Sequence, residues 1–265
     1  MSDNTSLPPR FQPIPAVRFA ILIALAALLI VSIADVAPGP GKLIDGIPDL
    51  MRLTARMWPP NLEQDFLLRM SARILETFQI ALAGAAIGIL ISLPLGWLAA
   101  RDVSPLPALT FPVKALVSLM RTVPDLVWAL IFVATVGLGA VAGTLTIIVD
   151  TIGFCGRFFS EALEEADRDP QDALATMGAN RFQVLLGAVL PDAAPSMVNT
   201  SLFVLEKAVR SSVILGLVGA GGIGQELQVA FDLFQYPNAA TIILAIFVIV
   251  LVMEFLTDHL RQKFR

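Results

Sequence analysis

Asp172-Ala173-Leu174-Ala175-Thr176-Met177-Gly178, followed nine residues later by Ala188-Val189-Leu190-Pro191, is a polar island in an apolar chain. Glu161, Glu164, Glu165, Asp167, Arg168 and Asp169 lead into it. Pro170 suits a helix start, where its missing N–H has no partner to lose. Residues 171–177 then read as a short helix and Gly178 as a turn. Asn180 can cap a second helix running to about Gly187. Pro191 and Pro195 close the unit. A solvated loop is the simplest account of such a stretch. Helix, glycine turn, helix and proline stop in one place favour instead a surface on which another protein docks.

The surrounding chain has 265 residues, 56% hydrophobic and 15% charged, with a mean hydropathy of +0.78. Soluble domains carry about 25% charged residues, so this is a membrane protein. A net charge of −4 argues against nucleic-acid binding. Cys155, the single cysteine, cannot close an intrachain disulfide and reads as a small buried hydrophobe.

A helical crossing needs roughly 20 mostly apolar residues. Six stretches qualify as spans or their cores: 19–33, 75–99, 126–136, 143–159, 198–217 and 239–256. The first follows Arg10 and Arg18 as a signal peptide does, but more apolar segments come after it, so a retained anchor is the simpler reading. Residues 37–73 hold Pro38, Pro40, Pro48, Pro59 and Pro60 and are too polar to span. The chain therefore divides into an anchor span with an outer segment, 1–74, and a transmembrane domain, 75–265, whose polar loop covers 161–195. The third span opens just after Pro124. Residues 108–121 before it read as a partly amphipathic helix, lying at the interface or opening that span obliquely.

Arginine and lysine set the orientation. With the N-terminus inside, inner segments hold Arg10, Arg18, Arg101, Lys114, Arg121, Arg157, Arg168, Arg181, Arg261, Lys263 and Arg265. The loops at 137–142 and 219–238 hold neither residue type. Lys42, Arg52, Arg56, Arg69 and Arg73 in the first outer segment depart from the rule. Both termini inside requires an even number of spans, and six fits. Gly84 and Gly88, like Gly139 and Gly143, are four apart, a spacing that lets helix backbones approach. It fits packing within one chain as well as a dimer seam.

Gly219-Ala220-Gly221-Gly222-Ile223-Gly224 matches a dinucleotide-binding pattern, but it follows a membrane helix rather than a strand. Its glycines instead let the chain turn and pack closely at a membrane boundary. No P-loop exists: Gly41-Lys42 lacks the following Ser or Thr and the preceding glycine. One histidine, His259, makes a histidine-based metal or catalytic site a poor reading and suits an interfacial position.

The fifth span carries Glu206, Lys207 and Arg210. A charge at mid-bilayer costs on the order of 3 kcal/mol, so such residues face a cavity or a partner. Glu206 and Arg210, four apart, can pair and lock the bundle. Alternatively Arg210 lines a pathway and attracts an oxyanion, which a guanidinium binds bidentately. Ser211 and Ser212 add hydroxyl donors, and Lys207, three residues before Arg210, can share its face. Asp150 and Glu254 are the other acids near spans.

The island resembles the coupling motif of ABC importer permeases, E-A-A-x-x-x-G-x9-I-x-L-P. Asp172 stands for the motif's Glu, Ala173 for its first Ala, Gly178 for its glycine and Leu190-Pro191 for its end; Leu174 and Ala188 depart from it. Glu76-Thr77-Phe78-Gln79-Ile80 with Leu93-Pro94-Leu95-Gly96 resembles the opening transmembrane pair of these permeases. The stretches 121–130, with Asp125 where Glu is more familiar, and 210–224 resemble the phosphonate-type branch. The resemblance covers 75–265.

It implies an all-α polytopic membrane bundle of about six transmembrane helices with a cytoplasmic coupling-helix loop, the type I ABC importer permease fold. It also implies a non-catalytic permease subunit in the bacterial inner membrane, importing phosphonate or a related phosphorus oxyanion by alternating access. Expected partners are a cytoplasmic ABC ATPase dimer holding ATP and Mg, a second permease copy, an extracytoplasmic binding protein and the bilayer. This chain is expected to bind no cofactor and no metal. Arg210, Ser211, Ser212, Lys207 and Glu206 are the expected pathway. Asp172, Ala173, Gly178, Leu190 and Pro191 are the expected ATPase contact, and Gly219, Gly221, Gly222, Gly224 and Pro124 the gating or structural set. The competing reading is an ion-coupled secondary transporter of a small anion, with Asp150 or Glu254 as relay acids.

Overall fold

The computed structural model describes residues 16–36 and 39–263. Arg10, Pro38 and Arg265, and the side chains of Lys42 and Lys263, lie outside the described residues. The chain divides into two units, Met1–Ala55 and Arg56–Arg265. All regular structure among the described residues is helical.

In the first unit, α1 (Ala16–Val36) is apolar and long enough to cross a bilayer, and its large hydrophobic side chains are exposed. Helix α2 (Pro40–Met57) occupies part of the segment that reads as too polar to span. Its residues recur with helical period: Ile44, Ile47 and Met51 share one side, and Asp45, Asp49, Arg52 and Arg56 the other.

The second unit begins with α3 (Gln64–Ala99), whose 36 residues extend roughly 54 Å. It starts eleven residues before the apolar run at Leu75. The added turns carry Arg69 and Arg73; Arg73 is satisfied by Glu76 at 2.8 Å and Glu226 at 3.0 Å. After a turn come α4 (Pro107–Thr122), α5 (Asp125–Val136) and α6 (Ala140–Glu164).

A seam of glycines joins α3 to α6. A Cβ at Gly84 would meet Ile147 at 2.7 Å, one at Gly88 Thr151 at 2.5 Å, and one at Gly96 Phe159 at 2.8 Å. The partner always lies 63 residues further on, so α3 and α6 run in the same direction. Gly84 and Gly88 thus serve packing within the chain. Gly143 also admits a neighbour, the carbonyl of Ala220 at 2.5 Å. Gly139, at φ 124, lies outside any helix.

Two parallel helices need a return crossing between them, and α4 and α5 supply it as one span broken by 90° at Pro124. Alone, the 12 residues of α5 reach about 18 Å, short of the bilayer. Helix α4 starts beside the end of α6, where Lys114 meets Glu164 at 2.8 Å. It descends past Gly156, which faces Val117, to Gly153, where a Cβ would lie 2.8 Å from the Arg121 nitrogen. Helix α5 ends at the opposite end of the bundle, where Gly139 N–H donates to Gly219 O at 2.8 Å. With α1 this gives six crossings by length and composition.

The chain continues through α7 (Arg168–Thr176), α8 (Arg181–Val184) and a single π-helical turn (Leu185–Val189) into α9 (Leu190–Gly216). The sequence reading starts the α7 helix at 171 and ends its successor near Gly187 with a proline stop. Instead the helix runs on. The π turn widens the coil just before Pro191, so the missing N–H and the ring of proline meet no α-helical carbonyl they would break. Helices α10 (Gly222–Asp232) and α11 (Tyr236–Lys263) complete the unit. The loop expected at 219–238 therefore contains a buried helix; Gly222, Ile223, Gly224 and Ala230 form its inner face.

Candidate functional site

Halfway along α9, two ion-pair systems tie three helices together. Glu206, whose side chain is 12% exposed, accepts from Arg210 at 3.0 Å and from Arg261 of α11 at 3.1 Å. Thr257 Oγ1 on α11 stands 3.4 Å from the same carboxylate. Lys207 turns the other way and donates to both oxygens of Asp150 on α6, each at 2.8 Å. Lys207 and Arg210, three residues apart, thus take different partners, Asp150 of α6 and Glu206 of α9. Arg210 stays half-exposed at 52% while paired.

Below this belt, toward α7 and α8, lies a cavity of about 820 Å³. Phe154, Phe158 and Phe203 form its aromatic wall, and Ser196, Asn199, Thr200, Asp258, Arg261 and Gln262 its polar wall. The rings stack closely, with Phe154 4.6 Å from Phe158 and 5.4 Å from Phe203 between centroids. Three cations sit over them: Arg121 over Phe158 at 5.8 Å, Lys207 over Phe154 at 5.4 Å, and Arg261 over Phe203 at 5.7 Å. Lys207 and Arg261 have carboxylate partners. The exposed Arg121 has none among the described residues.

Ser211 and Ser212 are buried and do not line this cavity. Ser212 Oγ donates to Thr77 O at 3.3 Å, so it joins α9 to α3. Thr77 Oγ1 in turn accepts the Ile223 N–H at 2.8 Å, anchoring the glycine loop. Gly219, Gly221 and Gly222 adopt φ of 88°, 87° and 74°. Gly224 needs its missing Cβ for another reason: such an atom would run into Val213 O.

In the polar insert before α9, α7 closes in a Schellman turn. Ala179 N–H donates to Leu174 O at 3.1 Å and Gly178 N–H to Ala175 O at 3.0 Å, with Gly178 at φ 85. Asn180 and Gln183 form a reciprocal capping box at 2.9 and 2.8 Å. Leu174, a departure from the motif, reaches back toward Gly187, where a Cβ would lie 3.2 Å from its Cδ1. Asp172, Ala173 and Pro191 are exposed and Leu190 is half-buried. Met177 and Phe182 add exposed apolar surface, 74% and 53%. The insert is fastened to the turn after α3: Arg168 pairs with Asp102, and Arg181 donates to Ser104 O at 2.8 Å. Trp97 packs on Phe182, centroids 5.9 Å apart.

Residues 92–265, which include the belt, the cavity and the insert, match the family described as binding-protein-dependent transport system inner membrane component. The chain belongs to this family. It is a multi-pass inner-membrane permease. It is 37% identical over 246 residues to the phosphate-import permease protein PhnE of Mycolicibacterium smegmatis, covering 93% of this chain and 46% of that one. The permease thus spans about half the length of that relative. It is 35% identical to the phosphite transport system permease protein PtxC of Stutzerimonas stutzeri, covering 84% of this chain and 80% of that one. A chain of the inward-facing MetNI methionine ABC transporter superposes with a TM-score of 0.65 at 24% identity, covering 77% of this permease and all of that chain. That likeness establishes the type I importer fold.

The candidate site gathers residues that sequence reading does not assign to it. Asp150 reads as a relay acid, Arg121 and Arg261 as orientation signals, and Phe154, Phe158 and Phe203 as span filler. Only their convergence on one cavity distinguishes them.

Proposed function

We propose that this permease moves phosphonate, phosphite or phosphate inward in an ATP-driven importer. In this reading both termini face the cytoplasm, two permease copies form the pathway, a cytoplasmic ATPase pair holding ATP and Mg docks on the insert, and an external binding protein delivers cargo. The observation that carries the anion reading is the surplus of cations around the cavity. Four cations, Arg121, Lys207, Arg210 and Arg261, stand against three carboxylates, Asp150, Glu206 and Asp258, and Arg121 is the one with no carboxylate partner among the described residues. An incoming oxyanion can take the half-exposed Arg210 while Glu206 keeps Arg261 and Thr257. No buried charge is then left unpaired during the exchange. Relatives named for phosphate and phosphite support the same class.

The insert suits force transmission. Its turn is fixed by hydrogen bonds and its base by the Arg168–Asp102 ion pair and the Arg181–Ser104 hydrogen bond, so a push on Met177 or Phe182 reaches both α9 and the α3–α4 turn. ATP binding can shift the access equilibrium only through contacts that differ between states. The competing reading, an ion-coupled transporter, asks for a free intramembrane acid. Asp150 is held by Lys207, whereas the exposed Glu254 on α11 has no cation partner among the described residues, so the energy source separates the two readings. The test is uptake of labelled phosphate and phosphite by proteoliposomes holding the permease with its co-purified ATPase and binding protein. Uptake that needs ATP supports the proposal; uptake driven by a proton or sodium gradient without ATPase refutes it.

A further inference from the structure

Away from the charged belt, a second cavity of about 510 Å³ opens between the turn after α3 and the first turns of α4. Arg101, Thr110, Phe111, Lys114 and Ser118 line it. Two of these groups lack partners. The Arg101 side chain is exposed, and no carboxylate among the described residues takes its guanidinium; only its backbone N–H donates, to Glu164 at 2.7 Å. The Thr110 hydroxyl is buried with no hydrogen-bond partner. Lys114, by contrast, is held by Glu164 at 2.8 Å. The neighbouring Arg157 and Glu161 neutralise each other, as do Arg168 and Asp102. One net positive charge faces the cavity.

An uncompensated guanidinium that shares a cavity with the Lys114 ammonium calls for an anionic oxygen ligand. The surroundings indicate what carries that oxygen. Below the cavity, α4 presents exposed Phe111, Leu116 and Leu119 at 81%, 44% and 57%. A free anion would use the charge and leave this apolar run bare, whereas an amphiphile uses both. The cavity also lies where α3 and α6 end and α7 begins, the level at which a bilayer places its headgroups.

We propose that this cavity seats the phosphate headgroup of an anionic phospholipid of the leaflet on the α7–α8 side, with acyl chains along α4. Arg101 binds the phosphoryl oxygens and Lys114 adds charge. The same turn carries Asp102 and Ser104, the fastenings of α7 and α8. A bound lipid therefore braces the mount of the insert.

The test is native mass spectrometry of the full-length protein extracted in mild detergent from membranes containing phosphatidylglycerol. Wild type should retain phosphatidylglycerol, and Arg101→Gln about fivefold less, the loss of one cation near a lipid surface. Arg101→Lys should keep most of it. Equal retention by wild type and Arg101→Gln overturns the proposal. Release of the lipid by millimolar inorganic phosphate also overturns it, by making the cavity a free-anion site.

Discussion

Lys207 on α9 donates to both carboxylate oxygens of Asp150 on α6, and this pair clamps two helices at mid-span. Removing one partner strands the other. Lys207→Met should lower stability by about 2 kcal/mol, less than a fully buried pair because both side chains retain some exposure. Asp150→Asn combined with Lys207→Met should recover at least half of that loss. Thermal unfolding of the purified variants measures both.

Glu206 restrains two arginines. Glu206→Gln removes the shared anion and frees Arg210 for cargo, while Arg261 keeps Asp258. The proposed pathway then binds its oxyanion more tightly and releases it more slowly. Concentration-dependent uptake should show a lower KM together with a several-fold lower kcat. A raised KM at unchanged kcat would contradict this role.

Gly178 has open space around its missing Cβ but a φ of 85. Gly178→Ala should cost about 1 kcal/mol in the turn and leave measurable uptake. Gly178→Asp adds a charge to the proposed docking face and should abolish uptake while membrane expression persists. Uptake assayed at matched protein levels separates these outcomes.

Gly224 and Gly137 should respond differently to the same change. Gly137 is unobstructed, but its φ of 97 and ψ of 173 suit glycine almost alone, so Gly137→Ala should cost about 2 kcal/mol and still fold. Gly224→Ala drives a methyl into the Val213 carbonyl and should prevent the α9–α10 corner from closing. Size-exclusion profiles should show a monodisperse protein for the first and aggregate for the second.

Hydropathy made the crossings legible because lipid demands long apolar helices, and Pro124 marked where the third one breaks. Helix α10 escaped notice because it opens on Gly222-Ile223-Gly224, residues chosen for close approach that read locally as a loop. The proline pair at 191 and 195 read as a stop, since nothing local reveals that a π turn will absorb it. At the site, Glu206 and Arg210 were readable as an i, i+4 pair. Thr257 and Arg261, which meet Glu206, and Asp150, which meets Lys207, lie more than fifty residues from their partners in sequence, and only the packing of α6, α9 and α11 brings them together.

The central claim is that a phosphorus oxyanion crosses past Arg210. The most direct measurement is ATP-driven uptake of labelled phosphate and phosphite by wild type, Arg210→Lys and Arg210→Ala in proteoliposomes with equal amounts of assembled complex. The account predicts uptake by wild type, reduced uptake by Arg210→Lys, and none by Arg210→Ala. Unchanged uptake by assembled Arg210→Ala would contradict it.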